Sequence, residues 1–203
     1  MNYLPRVLAF CIGLFSLSTH AYTVSDVNLP EVVPATAERP ELQLNGASLR
    51  ELYLLVKTYV GALYLENPTV DENEILNSET HKRMVFHVMM KRVGARRIAN
   101  ALQDALVVNL SEQEHKKLTP KLDQMLSYFD GKMHQGDEAL FDYIPGVGTR
   151  ITVNNEVKGI ITGKDYYRAM LSIWIGENPV GRDFKEDILG LNREDRASQV
   201  AGN

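Results

Sequence analysis

The apolar stretch from Leu44 to Glu66, LNGASLRELYLLVKTYVGALYLE, constrains the fold of this chain most strongly. From Leu52 onward it is rich in Tyr, Val, Thr and Leu, which favour strands. Because both alternating faces of this segment are apolar, the pattern predicts a long strand in the interior of a sheet. Asn45-Gly46 is typical of a turn that follows a short strand. Arg50 therefore lies just before a segment that is expected to be buried.

The periodicity changes after this stretch. Segment 83–91 alternates apolar and more polar residues, which predicts a strand that is buried on one face. Apolar residues then recur at helical spacing over 98–110. Ser111 and Glu114 form a capping box for a short helix, and the Pro120 region predicts the start of a further long helix.

The C-terminal part returns to strands. The strand pattern covers 139–144, 149–153 and 157–162. Asn154-Asn155 predicts a hairpin turn between the last two of these strands. Helices are expected over 167–174 and 183–189. Strands at both ends of the chain with helices between them predict an α+β fold, an open-faced sandwich in which a large antiparallel sheet carries a layer of helices on one face.

The N-terminus has the organisation of a secretory signal peptide over residues 1–21. Arg6 precedes an apolar segment from Val7 to Leu17, and small residues lead to a predicted cleavage site after Ala21. The apolar segment is shorter than the ~20 residues that a membrane-spanning helix needs. We therefore expect a periplasmic or secreted protein without an integral membrane segment in the mature chain. Cys11, the single cysteine, would leave with the signal peptide, so no disulfide is expected.

The remaining chain is predicted to form one domain. Residues 22–40 contain three prolines and no clear periodicity, which indicates an extended N-terminal arm. Ordered structure is expected to begin near Glu41, with a single domain over 41–190 and a flexible tail over 191–203. The net charge of -4 argues against nucleic acid as a partner, because such binding requires a concentrated basic surface.

Few residues point to metal or cofactor chemistry. His81 and His87 have the same strand parity but would lie ~20 Å apart, which is too far for them to share a metal ion. Gly146 and Gly148 lack the third glycine and the following helix of a dinucleotide-binding motif. We therefore predict no metal site and no cofactor.

The order of these segments and several local motifs resemble the chalcone isomerase-like family, in its exported bacterial branch. One motif is the 44–66 stretch, with its glycine, the arginine that follows and a Tyr-Leu pair near its end. Another is FDYIPGVGTRITVNNEVKGIITGKDYYRAMLSIWIGENPV, with its Trp-x-Gly-x-x-Pro ending at Trp174. The resemblance covers about 42–190. It implies an open-faced sandwich with a ligand cleft between sheet and helices, where plant enzymes close a flavanone ring and plastid relatives hold a fatty acid.

The resemblance also indicates candidate site residues. Arg50 matches an arginine that contacts the ligand in the plant enzymes. Tyr59 takes the place of a threonine, while a tyrosine and an asparagine of the enzymes fall near Ile98 and Ala105. Ring closure requires donors that stabilise a developing enolate, and the loss of one donor typically costs about 2.7 to 4 kcal/mol. Isoleucine and alanine donate nothing, whereas a guanidinium and a phenol can bind a carboxylate.

The favoured prediction is a non-catalytic binding protein for a fatty acid or similar apolar carboxylate, with Arg50 and Tyr59 as ligand-binding residues and no catalytic residue. In a regular strand these two side chains would face opposite sides, so a bend or bulge is required between them. The alternatives are an intramolecular lyase of the chalcone isomerase type and an envelope protein-interaction module. Arg50 could also be an ordinary solvated charge, and Tyr59 a core aromatic residue.

Overall fold

A computed structural model describes residues 21–53 and 56–193 of the chain. Residues 1–20 of the expected signal peptide, the dipeptide 54–55 and residues 194–203 of the predicted tail lie outside the described residues. The α+β prediction is confirmed, because a seven-stranded antiparallel sheet carries the helices on one face.

The strands of the described chain form the main sheet and two small two-stranded sheets, one of which is a hairpin. They are β1 Ala21–Val24, β2 Val27–Pro30, β3 Val32–Val33, β4 Leu42–Leu52, β5 Val56–Leu65, β6 Lys82–Val88, β7 Arg92–Gly94, β8 Lys132–His134, β9 Glu138–Ile144, β10 Gly148–Val153 and β11 Glu156–Thr162. The main sheet has the order β11-β10-β9-β6-β5-β4-β3, and all of its pairs are antiparallel. The predicted interior strand is therefore β5, between β4 and β6.

Five helices lie in the described residues; the first, Glu72–Asn77, was not predicted, and the others follow the predicted order along the chain. They are α1 Glu72–Asn77, α2 Ala95–Val107, α3 Glu112–Ser127, α4 Lys164–Ile175 and α5 Arg182–Ile188. The central helix α4 is buried along most of its length, with Trp174 fully buried. The main hydrophobic core therefore lies between the inner face of the sheet and this layer of helices.

Local signals identified two features correctly. Ser111 and Glu114 form the capping box at the start of α3. Asn154 and Asn155 both have positive φ, 48° and 65°, in the turn that joins β10 to β11. Both features depend on side-chain and backbone preferences within a few residues, so the local sequence predicts them.

Asn45-Gly46 does not form the predicted turn. Strand β4 continues through this point to Leu52, and the pairing with β5 shifts by one residue between Leu44 and Gly46. The dipeptide is thus part of a β-bulge, and the chain reverses only after Leu52, where Tyr53 has a positive φ of 54°. Contacts with α5 decide this conformation, and the local sequence does not reveal them.

Pro120 does not start a new helix. Helix α3 is continuous from Glu112 to Ser127 with Pro120 inside it. Proline removes one hydrogen bond to the carbonyl of the residue four positions earlier, here Lys116. Both residues are exposed, so water can bind the carbonyl that loses its helical donor.

The predicted arm, residues 22–40, is more ordered than expected. Ordered strands begin before Glu41, because β1 and β2 form a hairpin and β3 joins the edge of the main sheet. Val27 and Leu29 of β2 are buried in a second core cluster with Val60 and Tyr64, which project from the outer face of β5. The arm therefore covers part of the sheet face opposite the helices.

Candidate functional site

Arg50 and Tyr59 are direct cross-strand partners on β4 and β5. The pairing shifts by one residue between Arg50 and Glu51, so that Thr58 is the extra residue of a bulge. The Thr58 hydroxyl donates to the Arg50 carbonyl oxygen at 2.7 Å. The bulge that the hypothesis required is therefore present. Because cross-strand partners project from the same face of a sheet, both side chains belong to the face covered by helices.

Tyr59 lies in an aromatic cluster between the sheet and the helices. Its ring stacks on Phe86 with centroids 4.1 Å apart and meets the edge of Phe184 at 5.7 Å. Its hydroxyl oxygen accepts a hydrogen bond from Trp174 Nε1 at 3.0 Å. The residue is 8% exposed, in agreement with the core alternative for Tyr59.

The Tyr59 phenol stays protonated at neutral pH. Burial raises its pKa to about 12, against smaller lowering effects from the Trp174 hydrogen bond and the charge of Arg50. No described residue accepts its proton, since its only hydrogen bond is the one it accepts. Tyr59 therefore has one unused donor inside the layer between sheet and helices.

Arg50 is half-buried at the end of the same layer. Its Nη1 donates to the Glu51 carbonyl oxygen at 3.2 Å, and it forms no ion pair with any residue that the structure describes. The same nitrogen lies close to Gly181, the N-cap residue of α5, where an added Cβ would be 3.6 Å away. The guanidinium thus has several unused donors between β4 and the start of α5.

The segment before Arg50 holds α5 in place. Asn45 Nδ2 donates to the Ile188 carbonyl oxygen at 3.0 Å, and Ser48 Oγ donates to Asp187 Oδ2 at 2.7 Å. Gly46 allows close contact, because a Cβ there would lie 2.0 Å from the Asp187 carbonyl oxygen. This glycine-containing motif therefore positions a helix and does not form a turn.

Sequence reasoning missed part of this cluster. Trp174 belongs to the Trp-x-Gly-x-x-Pro motif, but nothing near it in the sequence indicates its hydrogen bond to Tyr59, 115 positions away. Phe184 gave no signal beyond its place in a short helix. Gly61 makes room for the Phe184 ring, which a Cβ at that position would approach to 2.7 Å.

The two other positions that the resemblance identified lie on α2. Ile98 is buried in the main core, and Ala105 is half-buried against it. Neither side chain carries a hydrogen-bond donor. These positions therefore offer no polar contact to a ligand between the sheet and the helices.

Several pockets open on the described part of the chain. A groove bounded by α1, α3 and α4 has a volume of about 600 Å³, and another beside α5 has about 800 Å³. Neither of these two grooves is lined by Arg50 or Tyr59. In this conformation aromatic side chains fill the space around the Tyr59 ring.

Two further findings concern residues 21–53 and 56–193. No three His, Cys, Asp or Glu side chains in these ranges stand close enough together to hold a metal ion. No helix in the same ranges is both long and apolar enough to cross a membrane.

Comparison with known proteins places this geometry in context. No curated protein matches the chain. The crystal structure of a fatty-acid binding protein from Arabidopsis thaliana is similar, with a TM-score of 0.69 and 15% sequence identity, over 91% of this chain and 100% of that one. At this identity the similarity shows a shared fold. The sequence profile described as chalcone isomerase-like matches residues 21–190, which is most of the chain. The protein therefore belongs to the chalcone isomerase-like family.

Proposed function

We propose that this protein is a non-catalytic binding protein for a fatty acid or a similar apolar carboxylate. The carboxylate would lie between the Arg50 guanidinium and the Tyr59 hydroxyl, and the apolar chain would extend into the layer between sheet and helices. The observation that carries the proposal is that these two side chains share one face and retain unused donors. A guanidinium and a phenol together suit a carboxylate, because charge-assisted hydrogen bonds are the strong ones.

Binding requires a rearrangement of the aromatic cluster. The Phe184 ring lies against Tyr59, on a helix of only seven residues. Displacement of this ring would open space beside the phenol without breaking a strand pair of the main sheet. The name of the Arabidopsis protein, a fatty-acid binding protein on the same fold, also supports this ligand class.

Titration with oleate tests the proposal. Isothermal calorimetry and native mass spectrometry would compare wild type with Arg50→Gln, Tyr59→Phe and the exposed control Arg96→Gln. We expect Arg50→Gln to weaken oleate binding by at least about tenfold, since hydrogen bonds to charged groups contribute roughly 1.5–3 kcal/mol. Tyr59→Phe should weaken binding by about fivefold, and Arg96→Gln should not change it.

An uncharged probe separates the carboxylate from the alkyl chain. Oleyl alcohol should bind wild type and Arg50→Gln with similar affinity, because it lacks the charge that Arg50 would bind. Equal oleate affinity in wild type and Arg50→Gln would contradict the proposed site.

A second candidate is an interaction module of the cell envelope. It is favoured by the filled aromatic layer and by the two large grooves, neither of which Arg50 or Tyr59 lines. Native mass spectra without any oleate complex, together with no lipid in extracts of freshly purified protein, would favour this candidate over the first.

We also propose that the protein is exported, as a member of a bacterial exported branch of the family. The signal-peptide pattern of residues 1–21 supports this. Cell fractionation with N-terminal sequencing is the test, with Tyr22 expected as the first residue of a periplasmic or secreted form. A cytoplasmic protein that keeps residues 1–21 would contradict it.

A further inference from the structure

The small sheet of β7 and β8 brings together two basic segments that are far apart in the sequence. Arg92 pairs with His134, and Gly94 pairs with Lys132. Cross-strand partners project from the same face of a sheet, and so do residues two positions apart on one strand. Arg92, His134 and Lys132 therefore share one face, and all three are exposed. Met133, on the opposite face, is buried in the main core.

The first turn of α2 adds further basic residues beside this face. A Cβ at Gly94 would lie 3.9 Å from the Cβ of Arg97, so Arg97 lies beside the position where the exposed face has no side chain. Arg96 is its neighbour in the same turn. We call the five lysine and arginine side chains of this region the basic patch: Lys91, Arg92, Arg96, Arg97 and Lys132.

The basic patch is a concentration of positive charge on an acidic protein. All five side chains are exposed, and none forms an ion pair or a side-chain hydrogen bond with any described residue. The acidic residues of segments 91–97 and 130–137 are Asp130 and Asp137, and Asp137 lies 3.9 Å from His134. The whole chain has a net charge of -4, so the patch is opposite in sign to the molecule as a whole.

The two arginines of α2 occupy positions that are unfavourable for folding. Peptide dipoles give the N-terminus of a helix a partial positive charge, which favours acidic residues in the first turn. The first turn of α2 has Arg96 and Arg97, no acidic residue, and no side-chain hydrogen bond that caps it. Folding stability therefore does not explain these two cations, whereas an anionic partner would.

We infer that the basic patch binds the anionic head groups of a lipid bilayer. No large apolar side chain of the patch region is exposed, whereas protein interfaces have an apolar or aromatic core. The patch lines neither of the two large grooves, so a small anion finds no concave site in either of them. A membrane surface requires only charge, and clusters of roughly four to eight Lys and Arg are typical of segments that bind acidic lipids.

The patch lies near the end of the main sheet that holds Arg50 and Tyr59. Tyr59 pairs with Val88, the last residue of β6. Arg92 follows Val88 by four positions, which span at most ~14 Å of extended chain. A bilayer bound at the patch would thus lie close to the proposed carboxylate site. The choice of a lipid surface over another polyanion rests on the proposed function, because a fatty acid is itself a component of such a surface.

Vesicle flotation at low salt tests the inference. We expect the protein to float with vesicles that contain phosphatidylglycerol and not with vesicles of phosphatidylcholine alone, and to dissociate as the salt concentration rises. Each basic residue close to an anionic surface contributes about a fivefold factor in binding. The patch variant Arg92→Gln/Arg97→Gln/Lys132→Gln should therefore bind anionic vesicles at least about thirtyfold more weakly than wild type.

A matched control removes the same charge elsewhere. Lys116→Gln/Arg168→Gln/Arg182→Gln replaces three exposed cations of α3, α4 and α5, and it should float as wild type does. The inference is overturned if wild type does not float with anionic vesicles, if neutral vesicles bind it equally, or if the patch variant and the control lose equal affinity. It is also overturned if a DNA duplex binds wild type more tightly than anionic vesicles do at the same salt, because the partner would then be a nucleic acid.

Oleate titration separates this inference from the proposed function. The patch variant should bind oleate as wild type does, since its three altered side chains are outside the proposed carboxylate site. Oleate binding by a wild-type protein that ignores anionic vesicles would refute the patch alone. Vesicle binding through the patch by a protein that ignores oleate would refute the proposed function alone.

Discussion

Two arginines on opposite faces of the same sheet differ in what they contact. Arg83 on β6 faces outward and binds Asp142 on β9 through two hydrogen bonds, of 2.5 Å from Nε and 2.9 Å from Nη2. Arg50 on β4 faces the helices, and among described residues it donates only to the Glu51 carbonyl oxygen. Arg83 is paired with a carboxylate of its own chain, whereas no carboxylate in ranges 21–53 and 56–193 pairs with Arg50.

This difference indicates a structural role for Arg83, whereas Arg50 keeps hydrogen-bond donors that its described neighbours do not use. The Asp142 side chain is only 2% exposed, and Arg150 approaches it at 3.5 Å as a second cation. Such a carboxylate must stay paired, since an isolated buried charge is costly. Arg50 is half-buried, so water can solvate its guanidinium, and the carboxylate that we propose as a ligand would replace that water. The comparison therefore predicts a large loss of folding stability when the Arg83–Asp142 pair is altered and a small loss when Arg50 is altered.

The largest effect is expected on the outer face. Asp142→Asn should lower the free energy of unfolding by about 3 to 5 kcal/mol, because it leaves the partly buried Arg83 guanidinium without its counter-charge. Urea unfolding followed by circular dichroism measures this change. The exposed Asp123→Asn is the matched control, and it should change stability by less than about 0.5 kcal/mol. A loss below about 1 kcal/mol for Asp142→Asn would remove the contrast between the two faces.

A third cation extends the comparison to a buried amine without a carboxylate partner. Lys82 Nζ donates to the Ser78 and Thr80 carbonyl oxygens, and burial, followed by the nearby charge of Lys164, lowers its pKa to about 8. In the unfolded chain a lysine titrates near pH 10.4. Between these two values the unfolded state binds more protons, so the stability should rise with pH.

Lys82→Met isolates this effect. From pH 7.5 to 10.5 the free energy of unfolding of wild type should rise relative to that of the variant, by up to about 3 kcal/mol. Other titrating groups are shared and cancel in the difference. Parallel pH profiles for the two proteins would mean that Lys82 is charged throughout and is solvated as well as an exposed lysine.

The smallest effect is expected on the inner face. Arg50→Gln should change the free energy of unfolding by less than about 0.5 kcal/mol, since none of the residues that the structure describes forms an ion pair with it. Arg83→Gln is the matched comparison and should cost several times more. If both substitutions cost the same in urea unfolding, Arg50 is a structural residue and the proposed site loses its main support.

The features that the sequence predicted correctly are those formed by residues close together along the chain. The capping box at Ser111 and the Asn154-Asn155 turn involve groups a few residues apart, and both were predicted correctly. The bulge at Asn45-Gly46 depends on carbonyl groups of α5, more than a hundred residues later, and it was predicted as a turn. The hairpin of β1 and β2 was missed for the same reason, because its burial requires the outer face of β5.

The sequence alone determined the α+β arrangement, the interior strand β5 and the choice of Arg50 and Tyr59 as candidates. Tertiary structure decided that they share a face, because one extra residue, Thr58, shifts the pairing of β4 and β5. It also decided what surrounds the phenol, since Trp174 and Phe184 are brought to Tyr59 by the packing of α4 and α5. Strand periodicity records only neighbours along the chain, whereas a site between two layers is formed by residues that folding brings together.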